Sequence, residues 1–141
     1  LLAKLKGEPT PTLFAKETAR VEALAMEAVM VAEKQLGFEP QDVSKDRCGY
    51  DIESRVPGHG RLRFIEVKGR VAGAMTVTVT KNEILTALNK PDDFILALVE
   101  VDGDSTKVRY VRQPFQKEPD FTVTSINYDL SALLANAEDP R

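Results

Sequence analysis

Polar and apolar positions along this chain change rhythm several times, and each rhythm predicts an element. Over residues 16–36, "KETARVEALAMEAVMVAEKQL", the apolar Val21, Leu24, Ala25, Ala28, Val29, Ala32 and Leu36 recur at helical spacing. The spacing predicts one amphipathic helix, stopped by Gly37. Glu22 and Glu33 border the apolar stripe, and Glu27 points away from it. Residues 50–56 and 61–68 then read as two strands joined by "PGHG" at 57–60. A third strand is expected over 74–80, where Met75, Val77 and Val79 alternate with threonines. Thr80 followed by Glu83 makes a capping box that opens a short helix, with "ILTAL" on its apolar side. "FILALVEV" at 94–101 is apolar almost throughout, as a strand covered on both faces should be. "DGD" at 102–104 turns the chain into another strand over 106–112. A further strand near 121–127 and a short helix near 130–137 complete the series.

That order predicts an α/β (α+β) fold with a mixed central sheet. Residues 1–15, with Gly7, Pro9 and Pro11, read as a linker or arm, and residues 16–141 as one folded domain. A length of 141 residues suits a single core. Hydrophobic residues at 43% and charged residues at 29% are ordinary globular values. The single cysteine, Cys48, rules out an internal disulfide and is expected to be a buried small residue. No apolar run approaches the ~20 residues needed to cross a bilayer. These features lead to the expectation of a soluble cytoplasmic domain. The first residue is Leu1, and the chain is expected to be a piece of a longer protein.

The hairpin poses a chemical question. If the "PGHG" loop has four residues, Val56 faces Arg61, Ile52 faces Ile65 and Tyr50 faces Val67, giving one apolar face. The same register places Asp51 opposite Glu66. Opposed residues have Cβ atoms ~4.5–5.5 Å apart, and like charges there destabilise the pair. At ~5 Å and an effective dielectric of ~20 the repulsion is on the order of 3 kcal/mol. A divalent cation between the carboxylates reverses that sign, and Mg²⁺ favours such hard oxygen donors. Lys68 lies two residues beyond Glu66 and points to the same face. Taken alone, Glu-x-Lys is common on a solvated strand, where Glu53 would join Asp51 on the face and Lys68 and Arg55 would balance the charge.

Asp51, a hairpin, then Glu66-x-Lys68, preceded by a helix and followed by strand, helix and strand, resembles the PD-(D/E)XK nuclease superfamily. "GYDIESR", "FIEVKGR", "VTVTKNEI" and "FILALVEV" together resemble one branch more closely, the NO VEIN C-terminal domain family, over about residues 18–115. The resemblance implies a restriction-endonuclease-like αβββαβ core. It implies Asp51, Glu66 and the Val67 backbone carbonyl as ligands of Mg²⁺ or Mn²⁺, with Lys68 as the catalytic lysine. An acid from the first helix often joins such sites; Glu22 is the first choice and Glu33 the second. The superfamily's proline is missing, because Tyr50 precedes Asp51. The resemblance further implies DNA as partner and a helicase or ATPase domain in the same parent chain, in some cases linked to defence against foreign DNA.

Other residues modify this picture little. His59 is the only histidine and sits in a glycine-flanked turn, which argues against a zinc site or a Ser–His triad. Asp102 and Asp104 flank a turn glycine. Arg70, Lys81, Arg61 and Arg63 are the candidate phosphate contacts; Lys107, Arg109 and Arg112 read as a solvated strand. A net charge of −3 gives poor non-specific grip on nucleic acid. Two functions therefore compete: a metal-dependent DNA endonuclease-type domain, and a catalytically silent copy of that fold used for docking DNA or protein.

Overall fold

A computed structural model describes residues 11–141. Helix α1 spans Pro11–Gln35. It is followed by strands β1 (Glu39–Asp42), β2 (Ile52–Arg55), β3 (Leu62–Val71) and β4 (Thr76–Thr80). Helix α2 (Lys81–Asn89), β5 (Phe94–Asp102), β6 (Ser105–Arg112), β7 (Ser125–Asp129) and α3 (Leu130–Leu134) complete the order. The helix thus starts inside the segment expected to be an arm; the rest of that segment, 1–10, lies outside the described residues.

The main sheet has five strands in the order β1-β2-β3-β5-β6. Only β3 and β5 run parallel, so the sheet is mixed. The "FILALVEV" strand explains how two layers form. Its Ile95, Ala97, Val99 and Val101 pack with Val21, Ala25 and Val29 of α1, while Phe94, Leu96 and Leu98 pack under Ile84 and Ala87 of α2. Alternation puts successive side chains on opposite faces, so a strand apolar at every position must be covered twice.

Two departures from the predicted pattern have physical reasons. The strand β1 was not anticipated, because "EPQD" lacks alternation; as an outer strand it tolerates Pro40. The third predicted strand exists but does not join the main sheet. It pairs antiparallel with β7 in a separate two-stranded sheet, from Thr76↔Asp129 to Thr80↔Ser125. Its Val77 and Val79 still face the core, and its threonines are exposed.

One buried polar group ties the first layer together. Glu33 continues the Val21, Ala25, Val29 stripe at the next i+4 step and is 0% exposed. Its carboxylate accepts hydrogen bonds from Arg63 Nε at 2.8 Å, Arg63 Nη2 at 3.0 Å and the Tyr110 hydroxyl at 2.7 Å. Glu33 is therefore in the core rather than at the edge of the stripe, and its oxygens are committed there. Cys48 also differs from expectation: it is exposed.

Candidate active site

The hairpin forms with the expected loop. Val56 N–H donates to the Arg61 carbonyl at 2.8 Å, and Ile52 pairs with Ile65. The ladder then breaks one residue earlier than the simple register requires. Asp51 N–H donates to the Ile65 carbonyl at 2.8 Å, which shifts the pairing by one place. Such a slip re-aims side chains. Tyr50 leaves the α1 face and packs edge-on against Phe64, their ring centroids 5.0 Å apart. Asp51 is left aimed along the sheet edge, where its Oδ2 accepts a hydrogen bond from Val67 N–H at 2.9 Å.

Beyond that point β3 is paired only with β5, on its other side, from Phe64↔Phe94 through Val71↔Val101. The Val67 amide faces the edge left open by β2, and in a strand the carbonyl of the same residue points the same way. α1 crosses closely over this edge. A Cβ placed on Gly69 would lie 2.7 Å from Ala25 Cβ, so glycine is what lets the helix come down onto the strand. A cavity of about 360 Å³ results, lined by Glu22, Ser44, Asp51, Glu66, Lys68 and Glu83 among others.

Inside it lies a charged cluster. Lys68 Nζ is 3.1 Å from Glu66 Oε2 and 2.9 Å from Glu83 Oε1. Glu66 is 3% exposed. Burial pushes its carboxyl pKa up to about 10, with Asp51 and Glu83 adding to the rise and Lys68 opposing it. Burial also raises Asp51, against the lowering pull of the Val67 amide, Glu66 and Lys68. For Glu83, burial is outweighed by the Thr80 amide and Lys68, and its pKa falls. Burial works against the charged Lys68, but Glu66 and Glu83 more than offset it and its pKa rises. The result is an ammonium ion bridging Glu66 and Glu83, with burial favouring the protonated form of Glu66.

The structure brings Asp51, Glu66, the Val67 backbone, Lys68 and Glu22 to this one cavity. It separates others. Arg63 is buried against Glu33 and is not available to a strand on the surface. Arg61 pairs with Asp93 at 2.6 Å. Lys81 donates to the Phe121 carbonyl at 3.1 Å and stands 5.3 Å from that ring's centre. Arg70 is exposed at the far end of β3. Sequence reasoning missed Glu83 as a site residue. The capping box is present, with Thr80 N–H donating to Glu83 Oε1 at 2.9 Å, yet the same oxygen also accepts from Lys68. Its sequence signal was the capping box, which reads as a helix start and nothing more.

Among the described residues no three His, Cys, Asp or Glu side chains form a ready metal-binding set. The donor chemistry nonetheless suits a hard divalent cation: carboxylate oxygens from Asp51 and Glu66, with the Val67 carbonyl on the same edge. Lys68 now neutralises part of that set, and a cation would have to displace its contact with Glu66.

Residues 21–111 match the family model described as Protein NO VEIN, C-terminal. That segment covers well over half of the 141 residues, and the chain belongs to this family. No curated protein and no solved structure matches it. No helix among the described residues is long and apolar enough to cross a membrane.

Proposed function

We propose that the chain is a nuclease-type domain of the PD-(D/E)XK kind, hydrolysing DNA phosphodiesters with Mg²⁺ or Mn²⁺ as part of a larger helicase or ATPase protein. One observation carries the reading: Asp51, Glu66 and Lys68, chosen from spacing, line one cavity at the open edge of β3. Perturbed titration of several groups in one cleft is a feature of reactive sites, shared with structural ion-pair networks.

Asp51, Glu66 and the Val67 carbonyl would hold the cation, with Glu22 the first-helix acid that lines the same cavity. When bound, Mg²⁺ supplies Lewis acidity toward a phosphoryl oxygen and makes water more acidic. Lys68 has a raised pKa, so it acts as a charged donor rather than a base. Its ammonium orients the attacking water and opposes negative charge building on the phosphate. Glu83 holds that ammonium over Glu66.

The alternative is a catalytically silent docking module. Its support is that Lys68 already satisfies Glu66 and Glu83 without metal, so the cluster is stable as a purely structural network. Incubating single- and double-stranded DNA with the protein and Mg²⁺ or Mn²⁺, beside Lys68→Ala, separates the two. Cleavage by the wild type alone supports hydrolysis. Absence of cleavage from both, in the presence of the parent protein and ATP, supports docking.

A further inference from the structure

A second cavity shares Lys68 with the acid cluster. It holds about 310 Å³ between β3, β5, β6 and α3. Strand register lays out its lining in two rows. Lys68, Leu98 and Arg109 form one; Arg70, Glu100 and Lys107 form the other. Leu130 and Leu134 of α3 close it from above. Leu98 below and Leu130 and Leu134 above are therefore its apolar part, while four cations and a single carboxylate complete the lining; Lys68 among them already bridges Glu66 and Glu83. Arg109 is engaged by Asp139 at 2.9 Å. Arg70 and Lys107 are exposed and make no ion pair among the described residues. With Glu100 in register between them, Arg70 and Lys107 leave a local surplus of one positive charge in a protein of net charge −3.

We propose that this groove takes one unpaired nucleotide of a single-stranded nucleic acid, beside the phosphate presented to Asp51 and Glu66; the inference rests on the hydrolytic reading of that site. Three features of the groove favour this occupant. Its volume falls at the lower end of small-ligand pockets, which suits one nucleotide and not a helix segment. Leucines beside basic side chains match a nucleotide, whose base and sugar have apolar faces and whose phosphate is anionic. Sharing Lys68 puts the bound phosphate next to the carboxyl cluster. A base stacked and paired inside a duplex cannot enter such a groove unless it is first pulled out of the stack, at a cost in free energy. The groove thus selects for single strands over duplex, and Arg70 and Lys107 are its phosphate contacts.

Fluorescence anisotropy in EDTA, with labelled single-stranded and duplex DNA of equal length, reads binding without cleavage. The wild type should bind the single strand at least tenfold more tightly than duplex. The double variant Arg70→Ala/Lys107→Ala should weaken single-strand binding at least tenfold. It should also flatten the salt dependence by about 1.4 in log–log slope, at ~0.7 per phosphate contact. Leu134→Asp should weaken single-strand binding and leave duplex binding as it was. Circular dichroism on each variant checks folding at these exposed positions. Equal affinity for single strand and duplex, or a double variant that binds like the wild type, overturns the proposal. A single-strand preference without any Lys68-dependent cleavage keeps the groove and removes the hydrolytic reading. Lys68-dependent cleavage without the preference does the reverse.

Discussion

Asp51 accepts a hydrogen bond from the backbone amide of Val67 at 2.9 Å, across the gap where β2 has left β3. That bond is a local consequence of the broken ladder, and it fixes one carboxylate oxygen. Asp51→Asn preserves an acceptor for Val67 but loses the charge. The variant should therefore fold with little loss, and it gains from removing a negative group beside Glu66 and Glu83. Mg²⁺ or Mn²⁺ should raise the thermal midpoint of the wild type, because a ligand bound only by the folded state stabilises it; at tenfold excess over Kd the gain is about 1.4 kcal/mol. Asp51→Asn should lose most of that gain. Equal metal-dependent shifts in the two proteins would rule out Asp51 as a ligand.

Glu66 makes stability depend on pH in a definite direction. Its folded pKa is raised to about 10, above the ordinary carboxyl value of 4.5. Between those two values the folded state holds a proton that the unfolded state has released. Stability should therefore fall as pH rises through this window, with a ceiling of ~1.4 kcal/mol per unit for one proton. Asp51, also raised, contributes with the same sign. Glu66→Gln mimics the protonated acid and should flatten the slope, overtaking the wild type in alkaline solution. Urea denaturation in metal-free buffer from pH 6 to 9 measures both. Parallel curves for the two proteins would mean that Glu66 is ionised in the fold.

The Glu33–Arg63 pair should behave as a buried ion pair does. Both oxygens of Glu33 are used, by Arg63 and by the Tyr110 hydroxyl. Glu33→Ala strands the Arg63 guanidinium in the core and should cost about 3–5 kcal/mol. Tyr110→Phe removes one hydrogen bond to a charged group, about 1.5–3 kcal/mol. Neither variant should alter the metal-dependent thermal shift, since Glu33 is engaged away from the candidate site. Chemical denaturation with and without Mg²⁺ tests both statements. A lost metal response in Glu33→Ala would bring Glu33 back as the first-helix acid.

Gly69 offers a purely steric test of how the cavity is shaped. Gly69→Ala puts a methyl group 2.7 Å from Ala25 Cβ and 3.1 Å from the Val21 carbonyl. The helix must lift, at about 1–3 kcal/mol. Because Glu22 rides on that helix and lines the cavity, the metal-dependent thermal shift should shrink as well. Thermal melts with and without Mn²⁺ report both effects. A destabilised variant with an unchanged metal response would show that Glu22 has no part in holding the cation.

Much of this was legible in the sequence because it depends on local periodicity. The 3.6-residue stripe gave α1, the unbroken apolar run gave a doubly covered β5, and Thr80 with Glu83 gave the start of α2. The hairpin register was legible too, since only one alternation places Ile52 with Ile65. What stayed hidden depends on partners distant along the chain. The separation of β4 from the main sheet needs β7 to claim it, nearly fifty residues on. The commitment of Glu33 needs Arg63 and Tyr110 to meet it in the core. Glu83 looked complete as a cap, and only the crossover from β3 to α2 shows its second partner, Lys68. The slip at Asp51, which aims its carboxylate, has no signature in composition.

Lys68 carries the decisive functional prediction, and the structure changes what its removal should do. As a lone surface lysine it would contribute little to folding. Here its side chain is only 18% exposed and bridges Glu66 and Glu83. Lys68→Ala should therefore lower the thermal midpoint, and lower it more at high pH, where the carboxyls left behind repel one another. Its effect on cleavage should be of another order. A positioned donor aimed at developing charge is often worth ~3–4 kcal/mol, a hundredfold or more in rate. Glu83→Gln provides the comparison. It keeps an oxygen for the Thr80 amide and removes one counter-charge of the lysine. It should cost a similar amount of stability while leaving measurable cleavage. Rates and melting temperatures for the three proteins, on single-stranded DNA with Mn²⁺, separate chemistry from folding. If Lys68→Ala and Glu83→Gln lose rate in proportion to stability alone, Lys68 is a structural counter-ion and the docking-module reading becomes the better account.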